Sequence, residues 1–172
     1  MEILIAITIS AILAIWINSI SIIKISESQK AWIFKNKVKN NIETAVNYSL
    51  AWKAVEADLW VPKYWKIEIN NYNNWDGIWN VIVSYWSWTF KTHTGLTIKP
   101  NKFYWINNIT CDNLTWTNKT NESKVYLIIE NWNITLSWCT DEDQKILNFN
   151  TFYKSHIKNI SINSINNVIN SN

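Results

Sequence analysis

Ile3 to Ile23, ILIAITISAILAIWINSISII, is a run of 21 residues without a charge. As an α-helix it would measure about 31 Å, which matches a hydrocarbon core of about 30 Å. A buried core helix of that length usually keeps polar residues on one face. A signal-peptide core is shorter, about 7–15 residues, and leads into a small-residue cleavage site. Ala31 lies beyond Lys24, Glu27 and Lys30, so no such site is evident. The run therefore predicts a membrane-inserting helix.

The helical pattern continues past the run. Ala31, Phe34, Val38, Ile42, Ala45, Tyr48, Trp52, Val55 and Leu59 follow one another at steps of three or four, which is one apolar stripe of an amphipathic helix. Lys35, Lys37, Lys39, Asn40, Asn47 and Lys53 fall mostly off that stripe, and no proline intervenes before Pro62. One helix of about 55 residues and about 80 Å is expected. Its second half would pack on the domain that follows. Glu2 stands at the start of the apolar half. A carboxylate there is costly unless paired, which makes Glu2 a functional candidate; a plain interfacial position is the alternative.

Tryptophan and glycine are out of balance. The chain has 13 Trp and 2 Gly, against an ordinary glycine share of about 7%. The tryptophans fall in glycine slots. Asn131-Trp132 joins two strand-like segments, Val125–Glu130 and Asn133–Ser137, and a two-residue hairpin loop of type I′ needs positive φ at both positions. Leu59-Trp60-Val61-Pro62 sits where a helix should stop on glycine. Trp75, Trp79, Trp86 and Trp88 punctuate a turn-like stretch in the same way. The pattern is that of a gene whose UGA codons mean glycine but were read as tryptophan. The other reading is a Trp-rich surface for stacking on sugars or bases.

Glu2-Ile3-Leu4-Ile5-Ala6-Ile7, then Ile9 and Ala11-Ile12-Leu13-Ala14, resemble the N-terminal helix of type IV pilins and type II secretion pseudopilins. In that family a leader ending in Gly precedes Phe-Thr-Leu, an aliphatic residue, a hallmark Glu and an aliphatic run. Met1 falls at the aliphatic position and Glu2 at the hallmark Glu. The resemblance covers about 25 residues closely, extends in architecture to residue 60, and fades beyond it. It implies that a leader and the first mature residues lie upstream of Met1. A basic leader would also restore the charge asymmetry, because Lys24 and Lys30 follow the apolar run and no Lys precedes it. It further implies that Glu2 pairs with the N-terminal amine of an adjacent subunit. The partners it implies are homologous subunits met through this helix, the membrane, and a prepilin peptidase if the leader exists.

From Val61 onward the chain reads as short strands and loops. Lys66–Asn70, Asn80–Tyr85, Thr89–Thr92, Leu96–Ile98, Phe103–Ile106, the Val125–Ser137 hairpin and Ile146–Phe149 are expected strands. Ser155–Asn172 fits either an edge strand or a tail. The fold class expected is α+β: a long N-terminal helix packed on a small antiparallel β-sheet, pilin-like. Residues 1–23 would be the transmembrane or filament-core half of the helix, 24–60 its amphipathic half, and 61–172 an extracytoplasmic β-rich head. The subunit would wait in the cytoplasmic membrane as a single-pass protein and reach the cell surface on assembly.

Net charge is +3 and every basic residue is Lys, which argues against a nucleic-acid interface built on Arg forks. Cys111 and Cys139 do not form a Cys-x-x-Cys pair and have no nearby His, so no metal site is expected from them. In an extracytoplasmic head they can form a disulfide; two buried thiols are the alternative. Asp141-Glu142-Asp143 reads as a solvated acidic loop rather than a calcium site. His93 and His156 stand apart from any nucleophile at motif spacing. No catalytic residue and no cofactor are expected. The function expected is a structural subunit of a pilus, DNA-uptake or secretion filament. The alternative is a membrane-anchored extracytoplasmic binding module.

Overall fold

The structure is a computed structural model that describes residues 2–51, 62, 64–71, 81–99, 103–113, 119–139 and 143–171. Within the helix, side chains are described for residues 26–50 and for Ile9, Ser10 and Leu13, and those of Ser87 and Lys119 are left aside.

Helix α1 runs over Glu2–Leu50. It contains no Gly and no Pro, so nothing in it breaks the ladder. From Ser26 on it is amphipathic. Ala31, Phe34, Val38, Ile42 and Ala45 are buried, and Trp32, Ile33 and Leu50 are exposed on other faces. Among the described residues ten strands follow: β1 (Trp65–Asn70), β2 (Val81–Ser87), β3 (Thr89–Thr92), β4 (Tyr104–Asp112), β5 (Lys119–Asn121), β6 (Lys124–Glu130), β7 (Asn133–Ser137), β8 (Ile146–Tyr153), β9 (His156–Asn163) and β10 (Val168–Ser171).

The strands form two five-stranded sheets, ordered β3-β2-β1-β6-β7 and β10-β9-β8-β4-β5. Every pairing is antiparallel. In the first sheet Ile67 pairs with Val83 on one side and Leu127 on the other. All three are fully buried, and period-two alternation puts Lys66 and Glu68 on the opposite face. In the second sheet Ile106 and Ile109 are both fully buried although three residues apart. A regular strand would turn one of them outward. A register shift between Asn107 and Thr110, with Asn108 at φ 57°, supplies the extra residue that brings both inward.

The two sheets and α1 share one core. Val38 and Ile42 of the helix, Trp65 and Leu127 of the first sheet and Phe149 and Ile160 of the second belong to the same buried cluster. Asn71, just after β1, ties the sheets together: its amide donates to the Glu122 carbonyl and its oxygen accepts from the Ile109 N–H.

Two expectations are corrected here. The head is not a small sheet beneath a long helix; the molecule is mainly β, and the part of α1 that packs on it is the short stretch from Ser26 to Leu50. The enlargement comes largely from the C-terminal segment. Ile160 and Ile162 are fully buried in β9, which pairs with β8 along its whole length. The second correction concerns the membrane. Among the described residues no helix is long and apolar enough to cross one. The transmembrane half-helix and the single-pass localisation in the cytoplasmic membrane are therefore withdrawn. The physical reason lies in the stripe: Ala31, Phe34, Val38, Ile42 and Ala45 are spent on the head's own core, with Lys37, Lys39 and Glu43 on other faces of the helix. The continuation of the helix expected to residue 60 falls outside the described residues beyond Ala51.

Candidate functional site

The N-terminal section of α1 and the place where it meets the head form the candidate site. Glu2 is the first helical residue, and its side chain lies outside those described. Ile9 and Leu13, four residues apart and so on one face of the helix, are 53% and 56% exposed.

Reading along α1 from its start, Glu27 is the first side chain with a described contact to the head. Its carboxylate accepts a hydrogen bond from Lys154 in the β8–β9 turn. His156 Nε2 lies 3.8 Å from the same carboxylate. The Lys154 hydrogen bond holds the Glu27 carboxyl below its ordinary value and outweighs the opposing desolvation. Glu27 in turn raises the Lys154 ammonium. Lys30 sits 5.8 Å above the Tyr153 ring one turn further on. Lys35 is buried on the helix, and desolvation first, then Lys158 and Lys39, pull its pKa down.

Beside the helix a cleft is lined by Ile33, Phe34, Lys37, Ile98, Lys99 and Tyr104. Its walls are fixed. Phe34 packs on Tyr104 at 5.0 Å between ring centroids. The Ile98 N–H donates to the Val81 carbonyl at 2.8 Å. The Asn41 amide donates to the Leu96 carbonyl at 2.7 Å and so straps the Leu96–Ile98 segment to α1. This cleft is not legible in the amino-acid order, because Ile98 comes to Ile33 only through tertiary folding.

The remaining candidates are structural in their surroundings. Cys111 in β4 and Cys139 after β7 are bonded, with Cα atoms 5.8 Å apart, and so join one sheet to the other. The His93 ring lies within an aromatic group with Tyr48, Trp65 and Tyr85, and its Nδ1 accepts from the Leu96 N–H at 3.2 Å. Asp143 is exposed, and Asp141 and Glu142 lie outside the described residues. Among the described residues no three His, Cys, Asp or Glu side chains converge on a possible metal position. Comparison of the chain with protein-family models, with curated proteins and with solved structures returns no match.

Proposed function

We propose that the protein is a structural subunit of a pilin-like filament, assembled through the N-terminal section of α1. One observation carries the reading. A single helix supplies core residues to the head from Phe34 to Ala45, while its N-terminal section presents Ile9 and Leu13 to solvent. Apolar side chains held out on a stiff rod find a stable place only against another surface. A helix that belongs to the head at one end transmits that attachment directly to the folded domain. The resemblance of Glu2–Ala14 to the pilin helix adds the partner: neighbouring subunits of the same kind. A prepilin peptidase joins the partners if a leader lies upstream.

In this reading Glu2 forms an ion pair with the N-terminal amine of an adjacent subunit inside the helix bundle. Removing one partner of a buried ion pair costs about 3–5 kcal/mol. Glu2→Ala should therefore leave the head folded, with an unchanged circular dichroism spectrum. Filament yield should fall by more than about 100-fold, scored by electron microscopy of negatively stained preparations. Normal filaments from that variant would refute the assignment of Glu2.

A further inference from the structure

The cleft beside α1 holds about 340 Å³. That is the lower end of the range of roughly 300–1,000 Å³ for small-molecule sites, so it suits one short chain and not a segment of polypeptide. Ile33, Phe34, Ile98 and Tyr104 give it apolar walls, and among the described residues Lys37 and Lys99 are the only charged groups in its lining. Lys37 stands one helical turn after Ile33 and Phe34, on the same side of α1. Lys99 directly follows Ile98. The helix and the strapped segment thus supply one ammonium each. The walls are set before any ligand arrives: Asn41 holds Leu96 to α1, Ile98 is bridged to Val81, and Phe34 packs on Tyr104. A site held open in this way loses little freedom on binding. Ile33 is 59% exposed at its edge, apolar surface that a ligand would take out of water. No tryptophan is among the lining residues, so the chemistry is the same whether the UGA codons mean glycine or tryptophan.

We propose that the cleft binds a small amphipathic anion, one carboxylate or phosphate head on a short hydrocarbon tail. The tail lies against Ile33, Phe34, Ile98 and Tyr104. The head takes charge-assisted hydrogen bonds from Lys37 and Lys99, which have no acidic neighbour in the lining. A neutral tail would leave both charges unanswered, and a bare anion would leave the walls wet. A free fatty acid and an acidic membrane lipid carry this same chemistry. The site stands apart from the filament reading and does not depend on it.

Equilibrium dialysis of the full-length protein against labelled decanoate tests the proposal whether or not the chains are assembled. Below the concentration at which decanoate aggregates, saturable binding at one site per chain is expected. Decanol and acetate, each carrying one half of the chemistry, should bind more than about 10-fold more weakly. Decanoate should lose as much on Lys37→Gln/Lys99→Gln, whose positions are both exposed and whose circular dichroism spectrum should be unchanged. Sedimentation with phosphatidylglycerol vesicles identifies the source. Lysine-dependent co-sedimentation assigns a lipid, and its absence in a protein that binds decanoate assigns a free ligand. No saturable binding of decanoate, undiminished binding by the double variant, or equal binding of decanol would overturn the proposal.

Discussion

Trp132 sits at φ 66° beside Asn131 at φ 47°, and the two form the whole loop between Glu130 and Asn133. Both signs are those of a type I′ turn, for which Asn-Gly is the favoured pair. Trp88 and Trp138 also have positive φ, at 63° and 74°. The other non-glycine residues in that region are three asparagines, Asn108, Asn131 and Asn167, and Lys154. Asparagine enters the left-handed region readily; a bulky side chain there is an outlier. Three tryptophans thus behave as glycine does. Trp86 lies inside β2 without a positive φ, so its backbone makes no demand for glycine. Trp60, Trp75 and Trp79 lie outside the described residues. The recoded-UGA expectation predicts that peptides of the native protein spanning Asn131 to Asn133 carry glycine at 132, read by mass spectrometry. Independently of the gene's origin, Trp132→Gly made in the sequence as written should stabilise the fold by about 1–2 kcal/mol, the cost of left-handed backbone for an L-residue. Denaturant unfolding measures it, and no gain would contradict the strain.

The two sheets and the helix are each held by a distinct device. Cys111–Cys139 closes a separation of 28 residues between the sheets, and Cys139→Ser with Cys111→Ser should cost about 3–4 kcal/mol in the chain-entropy model. Urea midpoints of the bonded and double-serine proteins test this. The Glu27–Lys154 pair ties α1 to the β8–β9 turn. Glu27 is held below its ordinary value near 4.5 and Lys154 above its ordinary value near 10.5. A lowered carboxylate contributes stability above its ordinary pKa and loses it as pH falls through the lowered one; a raised ammonium contributes below its ordinary pKa and loses it as pH rises through the raised one. The pair therefore acts fully between the two ordinary values. The melting temperature of Glu27→Gln should lie below that of the wild type at neutral pH and converge with it in acid. Salt should narrow the gap. Much of this layer was legible in advance. The stripe Ala31, Phe34, Val38, Ile42 and Ala45 follows helical steps, β3 and β7 have the expected limits, and the β6–β7 turn lies where Asn-Trp put it. What was hidden depends on pairing across distance. β5 is three residues of Lys-Thr-Asn with no apolar period, and β8 runs on from Phe149 to Tyr153 through polar positions. Ser155–Asn172 stays open between edge strand and tail until β8 is there to pair with it. The Glu27 clamp joins residues 127 apart in sequence.

At the scale of the molecule, one core serves both sheets and the C-terminal part of α1. The sequence pointed to a transmembrane anchor because an uncharged run was weighed by length and hydropathy alone. The stripe that follows the run pointed to a helix continuing onto a β-rich head, whereas the cleft beside α1 exists only once Ile98 and Tyr104 are brought to Ile33 and Phe34 by folding. The central claim is that the N-terminal section of α1 joins copies of the protein while the head folds without it. Electron microscopy of the full chain beside a version lacking residues 2–23 tests this directly. The account predicts regular filaments from the full chain and monomeric, folded heads from the shortened one. Amorphous aggregate or monomers from the full chain, or filaments from the shortened one, would contradict it.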